Sequence, residues 1–262
     1  MNDDGRDASS GWAPLRGVRA AFAFLTRVPV GGFPYAAADW RWSSAHFPLV
    51  GAAIGALLAA LWFVLAPLGP SPAAALVLAA SLLVTGGFHE DGLADTADAL
   101  GGGYDRAKVL EILKDSRIGA FGALAVGASL LVRYALLAAL GPLAPAALVA
   151  SQCASRTPAI WLLVAMPYVT DEARSRSKPV TRAGVAQGAV ATLWTAAILG
   201  GSVVAGRLGV VAAAAGAAAA AAAGLICAWR FHRRVGGVTG DFLGATQQVA
   251  EAAVLIAILA AR

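Results

Sequence analysis

Charge is scarce in this 262-residue chain: Asp, Glu, Lys and Arg together make up 13% of it, where soluble domains carry about 25%. Intrinsic disorder is excluded as well, because it needs high charge and low hydrophobicity. Cysteine is nearly absent. Cys153 and Cys227 lie far apart in apolar stretches, with no CxxC pair, no disulfide framework and no zinc-ligand spacing, and both read as small buried apolar side chains. The absence of a Cys/His set argues against a zinc site. The opening MNDDGRDASSGW is polar and acidic and lacks an apolar h-region, so a cleaved signal peptide is not expected.

Apolar surface takes the place of charge. Hydrophobic residues make up 59% of the chain and mean hydropathy is +0.71. A globule of this length cannot hide so much apolar area from water, and the lipid bilayer is the solvent that suits it. A spanning helix needs about 20 mostly apolar residues. Seven windows qualify: 47–68, 72–88, 120–140, 143–169, 187–205, 210–229 and 245–261. The stretch 12–30 is shorter and carries Arg16, Arg19 and Arg27, which suits an amphipathic helix on the membrane surface whose long cationic side chains snorkel; Pro29 and Pro34 are expected to end it. The alanine run 212–223 allows close helix approach. The expected fold is all-α, a polytopic bundle of about seven spanning helices with an N-terminal interfacial helix. Residues 1–11 form a polar tail and 12–262 a single integral membrane catalytic domain.

The net charge of +5 and pI near 9.7 would suit a nucleic-acid binder, but the basic residues fall elsewhere. Arg6, Arg16, Arg19, Arg27 and Arg41 precede the first window. Arg106, Lys108, Lys114 and Arg117 lie in the second connection, Arg174, Arg176, Lys178 and Arg182 in the fourth, and Arg230, Arg233 and Arg234 in the sixth. The odd-numbered connections carry only Arg207. That alternation is a positive-inside pattern. It predicts a cytoplasmic N-terminus, a cytoplasmic active site in the cell (inner) membrane, and no nucleic-acid partner. The run from Arg174 to Arg182 reads as a solvated orientation loop.

Seven of the fifteen acidic residues lie between Glu90 and Asp115. In a helix, Asp91, Asp95 and Asp98 stand at i, i+4 and i+7 and project from one face. Like charges so placed repel unless something positive sits between them. Oxygen-only ligands favour a hard cation, and Mg²⁺ that keeps waters and bridges substrate phosphates fits best. Without partners such a run would be a solvated acidic face. Here it is followed by Gly101-Gly102-Gly103 and then by Lys114-Asp115-Ser116-Arg117, whose cations can neutralise phosphate oxygens. Asp115 is either a further metal ligand or the partner that holds Arg117. His89 is a general base, a ligand or a helix-end hydrogen bonder. A second polar patch, residues 236–244, has four glycines and Asp241 leading into the last window. Arg156 lies inside the fourth window, where an arginine is costly and marks a functional site by default; Arg133 is open between pairing and packing, and His46 and Glu251 are unassigned. Carboxylates, a hard metal, cations and glycine turns at the inner membrane face together point to phosphoryl-group chemistry.

His89-Glu90-Asp91-Gly92-Leu93-Ala94-Asp95-Thr96-Ala97-Asp98 resembles the H-x-D-G-L-A-D-T-x-D stretch of the cobalamin synthase (adenosylcobinamide-GDP ribazoletransferase) family. So do residues 115–119 and 237–245, with further matches at 24–29, 47–51 and Ser155-Arg156. The resemblance implies a Mg²⁺-dependent membrane transferase of late vitamin B12 assembly. Its substrates would be adenosylcobinamide-GDP and α-ribazole or its 5′-phosphate, with GMP released. Carried onto this chain, it implies Mg²⁺ on Asp91, Asp95 and Asp98, with Asp115 and Asp241 as additional ligands or orienters. Lys114, Arg117 and Arg156 would hold the diphosphate, and His89 or an aspartate would take the hydroxyl proton. Homo-oligomerisation is left open. Two other readings stand beside this one: a CDP-alcohol phosphotransferase-like enzyme, whose full D-G-x-x-A-R spacing this chain lacks, and a secondary transporter with an intramembrane acidic cation site.

Overall fold

The computed structural model describes residues 12–32, 34–169 and 182–262. Twelve α-helices are found among them: α1 (Ala13–Leu25), α2 (Ala37–Ser43), α3 (Phe47–Leu65), α4 (Pro70–Thr85), α5 (Phe88–Gly102), α6 (Arg106–Ile112), α7 (Ala120–Leu140), α8 (Ala144–Ala154), α9 (Arg156–Ala165), α10 (Val185–Val204), α11 (Val210–Val235) and α12 (Gly240–Ala260). The all-α expectation holds. Five helical stretches among the described residues are long and apolar enough to cross a membrane, or six if α4 and α5 count as one bent span.

The difference from seven windows has two local causes. Residues Ala120–Ala165 form one unbroken 46-residue stretch by length, but the chain reverses within it at Gly141, whose φ is +53°. Hydrogen bonds to α12 show the reversal. Ser129, Arg133 and Ala139 of α7 pair with Gln248, Glu251 and Arg262 in ascending order. Gln152 and Ser155 pair with Glu251 and Gln247 in descending order. Thus α7 runs parallel to α12, α8 antiparallel to it, and one stretch holds two windows. The second cause is at residues 72–88, where the helix stops at Thr85. Gly86 and Gly87 both take left-handed conformations, φ +71° and +68°, which glycine adopts without the Cβ penalty of other residues. The chain leaves α4 at 91° and enters α5. Backbone groups orphaned by the bend are satisfied locally: the Arg27 amide donates to the Val84 carbonyl (2.8 Å) and the Gly87 amide to that of Leu82 (3.1 Å).

The surface helix is shorter than its sequence pattern. α1 ends at Leu25, four residues ahead of Pro29. Thr26 turns back there, its hydroxyl donating to the Phe22 carbonyl (2.8 Å) and accepting from the Val28 amide (3.2 Å). The small face of α1 is buried while Trp12 and Leu15 are exposed, and Arg16 ties it to Asp39 of α2 (2.9 Å).

Small residues set the packing distances. On α11, Gly216 faces Val254 and Ile258 of α12, and Gly224 faces Pro158, so the alanine-rich run lets these helices approach closely. α12 is the centre of the bundle: 61% of its apolar window is buried, against 17% for Ala120–Ala165. Between α3 and α8 the contact is closest of all. Gly51 abuts the Gln152 carbonyl, and a Cβ on Gly55 would stand 2.6 Å from the Leu148 carbonyl oxygen. Backbone atoms cannot swing aside as a side-chain tip can, so Gly55→Leu is expected to cost on the order of 1–3 kcal/mol, read as a lower thermal unfolding midpoint in detergent. An unchanged midpoint would show that α3 and α8 separate freely.

Candidate active site

The acidic helix and the start of α12 meet backbone to backbone. A Cβ on Gly92 would lie 2.9 Å from the Asp241 carbonyl oxygen and 3.3 Å from the Gly244 Cα, and one on Gly244 would lie 3.4 Å from the His89 carbonyl oxygen. The two glycines therefore let α5 and α12 cross with no side chain between them. Asp91 on one helix and Asp241 on the other flank that crossing; Asp91 is exposed, Asp95, Asp98 and Asp241 half-buried. Thr239 caps α12, accepting from the Phe242 amide (3.3 Å). Asp241 occupies its first turn, where the helix dipole favours a carboxylate. The preceding turn is tied down as well, with the Val238 amide donating to the Pro167 carbonyl and the Val169 amide to the Val238 carbonyl, both 2.9 Å.

The remaining acidic residues are used differently from the expected ligand set. Asp98 accepts from the amides of Gly119 (2.7 Å) and Gly122 (2.8 Å), the N-cap and N3 positions of α7. It thus caps another helix and pins the loop that carries Lys114 and Arg117. Of the two readings of Asp115, the structure has the second: its carboxylate takes a bidentate contact from Arg117 (2.9 and 2.6 Å), which holds its carboxyl down at a pKa of about 2. Among the described residues no group of three or more His, Cys, Asp or Glu side chains is gathered to hold a metal ion, so the five-carboxylate set is not assembled. Mg²⁺ asks for less: it keeps several waters and takes one or two carboxylates plus substrate phosphates. The all-oxygen donors flanking the α5–α12 crossing fit that demand.

Arg156 stands apart from Lys114 and Arg117. Those two are exposed, whereas Arg156 is 2% exposed inside the bundle. It donates to the Gln152 carbonyl and to its Oε1 (2.9 Å). Pro158 offers no amide to the Ala154 carbonyl, and the helix breaks beside it at Ser155. Arg156 also lines a cavity together with Phe24, Phe47, Phe88, His89 and Gln247. Residues 170–181, which include Arg174 and Arg176, lie outside the described residues.

A buried polar network beneath the site was not legible as a set. Arg133, 1% exposed, bridges Glu90 (3.0 Å) and Glu251 (3.4 Å). Glu251 also accepts from Gln152 (2.9 Å) and Gln247 (2.8 Å), and Glu90 from Gln248 (3.2 Å). The signal that could have found it is the recurrence of polar residues inside apolar windows, Gln247, Gln248 and Glu251 in one and Ser151, Gln152 and Ser155 in another. His46 is structural, bound to the Pro14 carbonyl (2.8 Å) and accepting from Trp194 (3.1 Å).

A family model described as cobalamin-5-phosphate synthase matches residues 17–259. The chain belongs to that family. It is 40% identical to an adenosylcobinamide-GDP ribazoletransferase of Polaromonas sp. (strain JS666 / ATCC BAA-500), over 89% of this chain and 92% of that one. Identity is 38% to the protein of that name in Shewanella piezotolerans, over 91% and 93%, and 39% to that in Ralstonia pickettii, over 92% and 93%. No solved structure matches the chain. The family match takes in both helices of the glycine crossing.

Two outcomes test this geometry. Asp98→Ala removes the cap of α7 and is expected to cost about 1 kcal/mol, with Asp98→Asn, which keeps one acceptor, losing less; equal midpoints for both variants and wild type would contradict the capping role. Arg133→Met leaves Glu90 and Glu251 buried without their cation and is expected to cost about 3–5 kcal/mol. Unfolding in detergent measures it, and a loss within error of zero would show that the network is not a paired unit.

Proposed function

We propose that this chain is an adenosylcobinamide-GDP ribazoletransferase working at the cytoplasmic face of the inner membrane, with residues 12–262 acting as one catalytic domain. The observation that carries the reading is the α5–α12 crossing. It brings the H-x-D-G-L-A-D-T-x-D helix and the Gly240-Asp241 turn into backbone contact, in a chain of the cobalamin-5-phosphate synthase family. In the reaction a ribose hydroxyl of α-ribazole, or of its 5′-phosphate, attacks the phosphorus attached to the cobinamide arm. A new P–O bond forms, the bond to the GMP oxygen breaks, and GMP leaves with the electron pair.

Asp91 and Asp95, with Asp241 across the crossing, would hold Mg²⁺ against the diphosphate. The ion, when bound, neutralises charge that develops on the transferring phosphoryl group. The chain's own residues do the rest. Lys114 and Arg117, on the loop pinned by Asp98, offer exposed cations to the phosphate oxygens. His89 or one of the aspartates takes the hydroxyl proton. The glycine crossing fixes the distance between the two acidic helix ends.

Purified protein given adenosylcobinamide-GDP, α-ribazole 5′-phosphate and Mg²⁺ is expected to release GMP. Asp91→Asn is expected to abolish release while the variant still inserts into membranes. GMP release by that variant at the wild-type rate would remove Asp91 from the chemistry, and none from the wild type would overturn the reaction.

A further inference from the structure

Beside the crossing lies a cavity whose walls are apolar over most of their extent: Phe24, Phe47, Phe88, Ile160, Leu163 and Leu243. Phe24 is its aromatic hub, stacked on Phe47 (centroids 5.6 Å, planes 4° apart) and edge-on to Phe88 (5.3 Å, 75°). Three polar side chains share the wall: His89, Gln247 and Arg156. The amide of Gln247 is already used, donating to Ser155 Oγ and Glu251 and accepting from Gln248. Arg156 is not. It makes no ion pair among the described residues, and its buried Nε has no hydrogen-bond partner. Buried donors left so are rare and costly.

The geometry points to this cavity as the site for the heteroaromatic base of the acceptor, the 5,6-dimethylbenzimidazole ring of α-ribazole, with Arg156 donating to its one unsubstituted ring nitrogen. This rests on the transferase reading above and names the subsite within it. The match is chemical. The ring is flat and aromatic, carries two methyl groups, and has a single acceptor and no donors. Apolar aromatic walls with a donor to spare on Arg156 satisfy all of it. Guanine, the other base in the reaction, presents several donors and acceptors that these walls would leave unpaired. A phosphate group would likewise lose its water to one cation among phenylalanines and leucines. Position agrees with chemistry: His89 lies two residues before Asp91, and Gly240 immediately before Asp241. A base seated here leaves its ribose beside the acidic helix ends, where the hydroxyl must react.

The test is binding of ribosides to the purified full-length protein by calorimetry, which needs no turnover. Ala159, 8% exposed, is in the cavity wall. Ala159→Val, which adds about the bulk of the two ring methyl groups, is expected to weaken α-ribazole about tenfold or more, as a methyl-scale misfit does, while the unmethylated benzimidazole riboside stays within about threefold of its wild-type affinity. Equal loss of both ribosides would mean collapse rather than a filled pocket, and no loss of either would place the base elsewhere; each overturns the proposal. A second arm uses the 5,6-dimethylindole riboside, which has C–H in place of the acceptor nitrogen. Wild type is expected to bind it about tenfold more weakly than α-ribazole, and Arg156→Met to erase that difference. A difference that persists in Arg156→Met removes Arg156 from the contact. Wild-type binding of α-ribazole without GMP release would fail the transferase reading and leave the pocket standing, whereas GMP release with neither signature would do the reverse.

Discussion

Two glycines facing one another across the α5–α12 crossing are the constraint on which the rest of the site depends. With no Cβ at Gly92 or Gly244, the backbones touch, and the carboxylates on either side are set by main-chain geometry rather than by flexible side chains. Close helix approach through small residues is the usual device of membrane bundles. Here it recurs at Gly51 and Gly55 against α8 and at Gly216 and Gly224 on α11. The apolar effect contributes little between helices already in lipid, so shape at these contacts, together with buried hydrogen bonds, holds the bundle in register.

Below the crossing, four ionisable groups are buried together. Arg133 bridges Glu90 and Glu251, and Arg156 lies close by, donating to Gln152. Charges in a low-dielectric interior are expensive, and pairing offsets that cost only when the geometry and the surrounding hydrogen bonds are good. Gln152, Gln247 and Gln248 supply those bonds. The network draws its members from α5, α7, α8 and α12, and so joins the acidic helix to three apolar ones. Arg156 is the second cation of these four groups, acting on Glu251 and Glu90 through space rather than by an ion pair, so that its Nε keeps a donor without a partner.

Hydropathy made the apolar windows legible, and the i, i+4, i+7 spacing made the acidic face legible, because both depend only on local periodicity. What escaped needed partners. The window 72–88 runs straight through Gly86-Gly87, whereas the chain has two adjacent left-handed residues and a 91° bend there, with the Arg27 amide arriving from beyond α1 to take the Val84 carbonyl. Asp98 belongs to the acidic face by spacing, while its actual role follows from Gly119 and Gly122 lying 21 and 24 residues downstream. Arg156 stood out as a costly intramembrane arginine, yet nothing local distinguishes a phosphate contact from a wall of an apolar cavity. Residue type was readable throughout, and contact across the bundle was not.

The bend decides where the acidic sequence lies relative to the bundle. Had α4 continued straight, Asp91 and Asp98 would differ in height by roughly 10 Å at 1.5 Å per residue, with the later carboxylates carried away from the bundle rather than along its end. Turned through a right angle, α5 spreads the same residues sideways at one level along the end of the bundle. Its apolar and network-forming side, with His89, Glu90, Ala94 and Ala99 buried, faces down onto α12 and α7, while Asp98 holds the end of the loop that carries Lys114 and Arg117 and Gly92 meets the first turn of α12 at Asp241. A diphosphate with a large corrinoid at one end and a nucleoside at the other needs such a surface, broad and charged above, with an apolar recess at its edge. Replacing straight-through geometry by a glycine bend provides both from one helix.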